Sequence, residues 1–358
     1  MPVTQTASTA LWRHVNARLD GIGQPPATAG EMAGVSGSAE SCANSIIASR
    51  RVQPGRVIGR PQASAWLSFF WNSCVPDDLS VVLYSGIGDH VMWLGLLGHV
   101  RPKCRVIVTV APAMEGLARL FPDAYDELRV EGIGEIELAQ LRYGPTLGRV
   151  LGWHGCWRGD ELAWLQKHMP DGTVADVIRD VLGCPGAALA APRWEDQYLP
   201  DELPPGRTVL LAPSAHTAAV RLNEQWWIDA AAHLEQRGFT VLTNVANRGR
   251  GYDRSRFAPT LDPVPGTIPV DVPLEQIGPF AERCGFVLCS RAGLADILAR
   301  VDVKMTVIWP TDEALAEYHD RHFAAWSVRR IYGGSTAARE VRVDRWAGFD
   351  VAVLTDWF

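Results

Sequence analysis

The loop at residues 290–293 combines residue types that suit phosphate binding. An apolar run, Phe286 to Cys289, ends in Ser290-Arg291-Ala292-Gly293, and a helical pattern follows directly. The free N–H groups and the dipole of a helix N-terminus attract anions, and Gly293 would let a ligand approach the backbone closely. Arg291 adds a planar, permanently charged guanidinium group that matches phosphate oxygens. The alternative is an ordinary strand–helix turn in which Arg291 faces water.

A second loop of the same kind occurs much earlier in the chain. The apolar run from Ser80 to Tyr84 is followed by Gly86-Ile87-Gly88-Asp89-His90 and then by an apolar helical stretch. A carboxylate at the carboxyl end of a strand can act as a general base in the crevice of an open α/β sheet. Asp89 is therefore the first candidate for that role and His90 the second. The alternative for Asp89 is a cap that accepts hydrogen bonds from its own helix.

The composition indicates a globular protein large enough for two α/β domains. The chain has 358 residues, of which 47% are hydrophobic and 21% charged. A net charge of −6 disfavours nucleic acid as a partner, because phosphate neutralisation usually requires a basic field. Seven cysteines, an odd number without a Cys-x-x-Cys pair, indicate reduced thiols in a cytoplasmic protein and argue against structural zinc.

Membrane contact is predicted to be peripheral at most. The sequence has no apolar run of about 20 residues and no basic-then-apolar signal-peptide pattern at its N-terminus. Four aromatic residues cluster before the first predicted strand: Trp66, Phe69, Phe70 and Trp71. They could pack in the core, line an acceptor site or touch the inner membrane surface, and core packing is the commonest role for such residues.

Strand and helix patterns alternate along the chain, which predicts parallel sheets with right-handed crossovers. The predicted strands are Val81–Tyr84, Arg105–Val110, Asp126–Val130, Ile133–Ile136, Thr208–Leu211, Phe239–Thr243, Phe286–Cys289, Lys304–Trp309, Glu340–Val343 and Val351–Leu354. The predicted helices are Val91–His99, Met114–Leu120, Glu224–Arg237, Leu274–Cys284 and Leu294–Arg300, and the stretch from Leu147 to Leu189 is predicted to be mostly helical. The proline-rich segment Pro192 to Pro205 is predicted to be a linker between two halves.

The C-terminal half resembles the nucleotide-sugar glycosyltransferases with two Rossmann-like domains, known as GT-B. The matching residues are Leu211-Ala-Pro-Ser-Ala215, Trp226-Trp227, Arg237-Gly-Phe-Thr-Val-Leu-Thr-Asn244, Pro265-Gly-Thr267, Pro273-Leu-Glu275 and Ser290-Arg-Ala-Gly-Leu-Ala-Asp296. The loop Gly86-Ile-Gly-Asp89 resembles the first loop of the heptosyltransferases of family 9. Those enzymes usually carry an acidic residue, a small hydroxyl residue and Gly in the second loop, followed by a His. This chain has Arg291, Ala292, Gly293 and Asp296 there, and an Arg is closer in kind to fucosyltransferases that use a GDP-sugar.

The resemblance implies four regions and a GT-B fold with two Rossmann-like domains facing a central cleft. These are a partly flexible N-terminal extension (residues 1–75), an acceptor domain (76–195), a nucleotide-sugar domain (206–345) and a C-terminal tail (346–358). The implied enzyme is an inverting, metal-independent glycosyltransferase without a cofactor. It would move a sugar from a nucleotide-sugar donor to a hydroxyl of a glycan, lipid-linked or other acceptor.

Each candidate residue has a role in this scheme. Asp89 would take the proton of the acceptor hydroxyl, with His90 as the second choice, and Arg291 would face the developing charge on the donor pyrophosphate. The other candidates on the donor side are Ser214, His216, Asn244, Ser290, Ala292, Gly293 and Asp296, and the loop glycines are Gly86 and Gly88. Asp296 could instead be a helix cap or an ion-pair partner of Arg291.

The sequence also bears on three other functions. A non-catalytic relative that only binds a nucleotide sugar stays open, because the second loop departs from the family pattern. A sugar-nucleotide epimerase would require paired His and acidic residues, and no clear pair occurs. A NAD-dependent oxidoreductase is rejected, because Gly86-Ile-Gly88 is not followed by the third glycine of the dinucleotide fingerprint.

Overall fold

The chain folds into two α/β halves, each built on a parallel sheet. A computed structural model describes residues 78–83, 86–131, 150–153, 171–194, 203–204, 206–213, 222–245, 263–313, 316–333 and 337–357, together with residues 16, 17 and 20. Within these ranges no helix has the length and apolar character needed to cross a membrane. The N-terminal extension and the predicted strand Ile133–Ile136 lie outside the described residues, apart from those three.

Among the described residues, the first half has a four-stranded sheet in the order β3-β2-β1-β4, with every pair parallel. Its strands are β1 (Asp78–Leu83), β2 (Arg105–Val110), β3 (Glu127–Val130) and β4 (Val150–Trp153). Its helices are α1 (Ile87–Leu97), α2 (Glu115–Arg119) and α3 (Val174–Val181), and a 3₁₀ turn covers Pro112–Met114. β2 reads Arg-Val-Ile-Val-Thr-Val, and all but its first residue are buried, as expected for a parallel strand covered on both faces.

In the part of the second half that the structure describes, six strands form a sheet in the order β10-β9-β8-β5-β6-β7, again parallel throughout. Its strands are β5 (Thr208–Ala212), β6 (Thr240–Asn244), β7 (Ile268–Val270), β8 (Gly285–Ser290), β9 (Lys304–Thr311) and β10 (Arg339–Asp344). Its helices are α4 (Glu224–Gln236), α5 (Ile277–Cys284), α6 (Gly293–Ile297), α7 (Ala316–Trp326) and α8 (Val328–Tyr332), and a 3₁₀ segment covers Val351–Trp357.

The second sheet separates two apolar clusters. Successive side chains of a strand point to opposite faces. Accordingly, Val209 and Leu211 join an outer cluster with the tryptophans of α4, while Leu210 and Ala212 join an inner cluster. The inner cluster continues without a break into the first half, where it includes residues of β1, β2 and α1. The C-terminal 3₁₀ segment packs on the outer cluster through Val353, Leu354 and Trp357.

Most predicted elements are confirmed, and three predictions are wrong. Val150–Trp153 is a strand and not a helix, because it pairs with β1, a partner distant in sequence. Val351–Leu354 belongs to a 3₁₀ segment and not to a strand. β9 does not end before Pro310 but continues to Thr311, since at Pro310 it has β10 as a neighbour and already extends past the end of β8.

Candidate functional site

The predicted loops lie where ligands bind in open α/β sheets. In such sheets the binding crevice lies at the carboxyl ends of strands where the chain order reverses. The order reverses between β1 and β4 in the first sheet and between β5 and β8 in the second. The loop with Gly86 follows β1, the loop with Pro213 follows β5, and the loop with Arg291 follows β8. All three candidate loops therefore stand at these reversal points.

The first and second loops are in direct contact. A Cβ atom placed on Gly88 would lie 2.3 Å from Oδ2 of Asp296, and one placed on Gly293 would lie 2.7 Å from the backbone N of Gly88. The same Cβ on Gly293 would lie 2.6 Å from Cβ of Ile87. The sequence predicted that Gly293 leaves room for a ligand. In the structure that room is filled by the start of α1, so both glycines serve the close approach of α1 and α6.

Arg291 is engaged inside the protein and does not face water. Its guanidinium donates to both carboxylate oxygens of Asp296, at 2.7 and 3.0 Å, and the two side chains are 9% and 1% exposed. It also donates to the carbonyl oxygens of Ala292 (3.0 Å) and Trp326 (2.9 Å). Burial is the largest single effect and would lower the pKa of Arg291. The charge and hydrogen bonds of Asp296, together with smaller effects of Tyr332 and Glu340, outweigh it and raise that pKa. The ion pair that the sequence left as an alternative for Asp296 is therefore present.

Aromatic residues surround the Arg291–Asp296 pair. The guanidinium lies over the rings of Trp309 and Trp326, at 5.8 and 6.0 Å from the ring centroids. Tyr332 at the end of α8 faces Asp296, and burial together with that negative charge raises the pKa of Tyr332, so its hydroxyl stays protonated. This hydroxyl can therefore act as a donor towards the carboxylate.

The start of α8 is capped by Glu340 of β10. Its carboxylate accepts hydrogen bonds from the backbone N–H groups of Val328 (3.0 Å) and Arg329 (3.1 Å), from Ser327 Oγ, and from the indole N–H of Trp309 (2.9 Å). Sequence reasoning missed these residues, because α8 was not predicted. The signal for it was Ser327, whose Oγ accepts from the N–H of Arg330 (3.2 Å) as an N-cap does.

Asp89 lies in the first turn of α1. Gly86 is the N-cap, and Oδ2 of Asp89 would be 3.8 Å from a Cβ on Gly86, so the carboxylate is turned towards the start of its own helix. The residue is buried, with 6% of its surface exposed. The positive end of the helix dipole stabilises its negative charge there.

His90 lies inside the core of the first half and not at the surface of the loop. Its ring Nδ1 is 3.0 Å from the carbonyl oxygen of Gly86, and the residue is buried. Burial lowers the pKa of His90, and the neighbouring carbonyl groups of Gly86 and Leu83 oppose this only in part. The ring is therefore neutral at pH 7 and donates its Nδ1 proton to Gly86, which ties the first turn of α1 to the loop before it.

The remaining candidates border the reversal point of the second sheet. Ser290 Oγ donates to the carbonyl oxygen of Pro213 at 2.8 Å, so the ends of β8 and β5 are bridged there. Asn244 ends β6, next to β5, and its Oδ1 is buried with no hydrogen-bond partner among the described residues. Ser214 and His216 lie outside the described residues. Where side chains are described, no three His, Cys, Asp or Glu residues form a group that could hold a metal ion.

Comparison with solved structures identifies the architecture. The ADP-heptose lipopolysaccharide heptosyltransferase II of E. coli superposes with a TM-score of 0.50 at 13% sequence identity, over 78% of this chain and 94% of that one. The chain has the GT-B fold. A family 9 glycosyltransferase from Veillonella parvula (TM-score 0.47, 12% identity, 75% and 86% of the two chains) and E. coli heptosyltransferase WaaC with ADP (0.43, 14%, 74% and 93%) are less similar in fold. No protein-family model and no curated protein matches the sequence.

Proposed function

We propose that this GT-B protein is a glycosyltransferase that moves a sugar from a nucleotide-sugar donor to a hydroxyl of a glycan, lipid-linked or other acceptor. The observation that carries the proposal is the meeting of the two loops, Gly86–Asp89 and Ser290–Gly293, at the reversal points of the two sheets. One half can thus present an acceptor to a donor held by the other. The E. coli protein of similar fold is described as an ADP-heptose heptosyltransferase, which supports a nucleotide sugar as the donor class.

The donor would bind at the carboxyl ends of β5, β6 and β8. Ser214 and His216 follow β5, and the buried amide oxygen of Asn244 at the end of β6 can accept a hydrogen bond from a donor hydroxyl or amine. The leaving nucleoside diphosphate develops negative charge, which requires N–H groups or cations nearby. A direct contact between Arg291 and the pyrophosphate requires the guanidinium to exchange Asp296 for a phosphate oxygen, because its N–H groups are engaged in the described state.

Asp89 would act as the base on the acceptor side. The acceptor oxygen attacks the anomeric carbon as its proton passes to the Asp89 carboxylate, and the bond to the nucleoside diphosphate breaks on the opposite face of the sugar. Attack opposite the leaving group inverts the configuration at that carbon. We propose that this step needs no metal ion, with protein N–H groups and side chains in the place of Mg²⁺.

Nucleotide binding tests the proposal first. We would measure calorimetric binding of ADP, GDP, UDP, CDP and dTDP, each with Mg²⁺ and with EDTA. We expect saturable binding of one base class that EDTA does not abolish. Asp89→Asn should retain this binding and lose turnover of the matching nucleotide sugar by roughly 100-fold or more, the usual size of a general-base contribution. Failure to bind any of the nucleotides would refute the donor assignment.

A non-catalytic protein that binds a nucleotide sugar is the second candidate. It is favoured by the burial of Asp89 and by the engagement of Arg291 with Asp296, because these two candidates then offer neither an exposed base nor an exposed cation. Binding of one nucleotide without hydrolysis or transfer of any sugar attached to it, for wild type and Asp89→Asn alike, would establish this candidate in place of the enzyme.

A further inference from the structure

The carboxylate of Asp296 bridges the two halves of the chain. It belongs to α6 of the second half, yet its Oδ2 would be 2.3 Å and its Cγ 3.1 Å from a Cβ on Gly88 in α1 of the first half. These distances place the carboxylate in van der Waals contact with the backbone of Gly88. Gly88 immediately precedes Asp89, the proposed base.

This carboxylate is held firmly from the other side. Both of its oxygens accept from Arg291, whose Nε is in turn fixed on the carbonyl of Trp326. The Asp296 side chain is 1% exposed. A planar, bidentate pair defines the orientation of a carboxylate far better than a single contact does. The surface that Gly88 meets is therefore rigid.

We infer that Asp296 is a positioning residue, which fixes the Gly88–Asp89 turn across the contact between the two halves. The inference rests on the proposed function, because it assigns a reaction step to the turn that Asp296 supports. In this arrangement Arg291 orients Asp296 and does not bind the donor. Misplacement of a reacting group by about 1 Å can lower a rate by roughly 100-fold, so such a support has a measurable effect.

Substitutions at the two contacting residues test the inference. Asp296→Ala removes the support and should lower kcat by roughly 10- to 100-fold while the affinity for the nucleotide changes less than about twofold. Asp296→Asn keeps the shape but turns its NH2 group towards an N–H group of Arg291, so it should lower kcat by less than Asp296→Ala does. Gly88→Ala should lower kcat in the wild-type background but have little further effect in Asp296→Ala, because the carboxylate that its methyl group would strike is gone.

Two variants separate positioning from a general loss of stability. Asp176→Ala breaks a partly buried Arg–Asp pair of the first half (Arg179 to Asp176, 2.5 Å) that includes neither Gly88 nor Asp296, so it should lower the thermal midpoint with little change in kcat. If Asp296→Ala fails to fold because Arg291 is left unpaired, the double variant Arg291→Met with Asp296→Ala is compared with wild type instead, since an apolar replacement of both members of a buried pair is often tolerated.

Hydrogen exchange distinguishes failure of this inference from failure of the proposed function. The amide of His90, which donates to Gly86 at 3.2 Å, reports on the turn without any substrate. Asp296→Ala should speed its exchange by roughly tenfold or more, and Asp176→Ala should not. Unchanged exchange, additive effects of the Gly88 and Asp296 substitutions, or a loss of nucleotide affinity with kcat preserved would each overturn the positioning role. If Asp296→Ala speeds the exchange of the His90 amide but the protein has no transferase activity, the contact between Asp296 and Gly88 is supported and only the proposed enzymatic activity is refuted.

Discussion

In two places a glycine of the first half faces a carboxylate of the second half. A Cβ atom added to either glycine would lie at the same distance from the carboxylate, but the two carboxylates differ in how firmly they are held. A Cβ on Gly88 would lie 2.3 Å from a carboxylate oxygen of Asp296, and a Cβ on Gly116 of α2 would lie 2.3 Å from a carboxylate oxygen of Glu275. Asp296 is buried and held at both oxygens by Arg291. Glu275 is partly exposed and has a longer side chain, whose end can move. Whether a glycine is required therefore depends on the rigidity of the group it faces.

The largest effect is expected for Gly293→Ala. Its methyl group would lie 2.6 Å from Cβ of Ile87 and 2.7 Å from the backbone N of Gly88, and neither atom can move without shifting α1. We expect a loss of about 3 kcal/mol in the free energy of unfolding, together with loss of turnover. Urea unfolding measures the loss in the free energy of unfolding. Gly348→Ala is the matched control, because nothing lies within 4 Å of its added methyl group. Equal stability of the two variants would mean that the loops are not held together.

An intermediate effect is expected for Gly278→Ala in α5. Here the neighbour is the indole ring of Trp194, with atoms 2.3 to 2.6 Å from the added methyl group. A ring is stiffer than a glutamate but can tilt away more easily than a helix backbone can shift. We expect a loss of about 1–2 kcal/mol in urea unfolding. Trp194→Leu should relieve the clash, so the double variant should be less destabilised than the sum of the two single ones. Additive losses would show that the ring is not the obstacle.

The pH dependence of the free energy of unfolding tests how firmly the loop Gly86–His90 is held by the first half. Because the pKa of His90 is lowered in the folded state, the unfolded chain binds a proton in a pH range where the native ring does not. The contribution of the neutral His90 ring to the free energy of unfolding is then fully present above about pH 6.5. Below that pH it falls by up to about 1.4 kcal/mol per pH unit. His90→Gln should remove this component, so wild type should lose more stability than the variant between pH 6.5 and 5.5, by up to about 1 kcal/mol. Parallel stability curves for the two proteins would contradict the burial of a neutral ring.

The smallest effect is expected for Gly116→Ala. The carboxylate of Glu275 can swing aside, and alanine is the better helix former by up to about 1 kcal/mol. The free energy of unfolding should stay unchanged or rise slightly, as measured beside Gly293→Ala under the same conditions. A loss of more than about 1 kcal/mol would show that Glu275 is as rigid as Asp296. The two contacts would then not differ in the way proposed.

The sequence was sufficient for the elements whose signal is local. Arg105–Val110 was predicted with both ends correct, because a β-branched run that begins at Arg105 and is followed by Ala111-Pro112 defines a buried strand. The reversal-point loops were also predicted, since a glycine turn between a strand and a helix is a local pattern. Val150–Trp153 was predicted wrongly, because it lies in the stretch predicted to be mostly helical and only its pairing with β1 makes it a strand.

The candidate site was predicted as residues but not as contacts. Nothing local indicates that Gly293 faces Ile87 and Gly88, since these residues are distant in sequence and meet only when both halves have folded. The Arg291–Asp296 pair was among the alternatives, because the two residues are close in sequence. Its support by Trp309, Tyr332 and Glu340 depends on the placement of β9, α8 and β10, which periodicity does not report.

The inner apolar cluster has a practical consequence for anyone who cuts or recombines this chain. Because this cluster runs without a break through both halves, either half made alone would present a large apolar face to solvent. Such fragments should aggregate. A chimera that joins one half to the complementary half of another GT-B protein would pack poorly where the two halves meet. To exchange donor specificity by swapping a whole half, one would therefore also have to exchange the residues where the halves meet. Gly88 and Gly293 are among them.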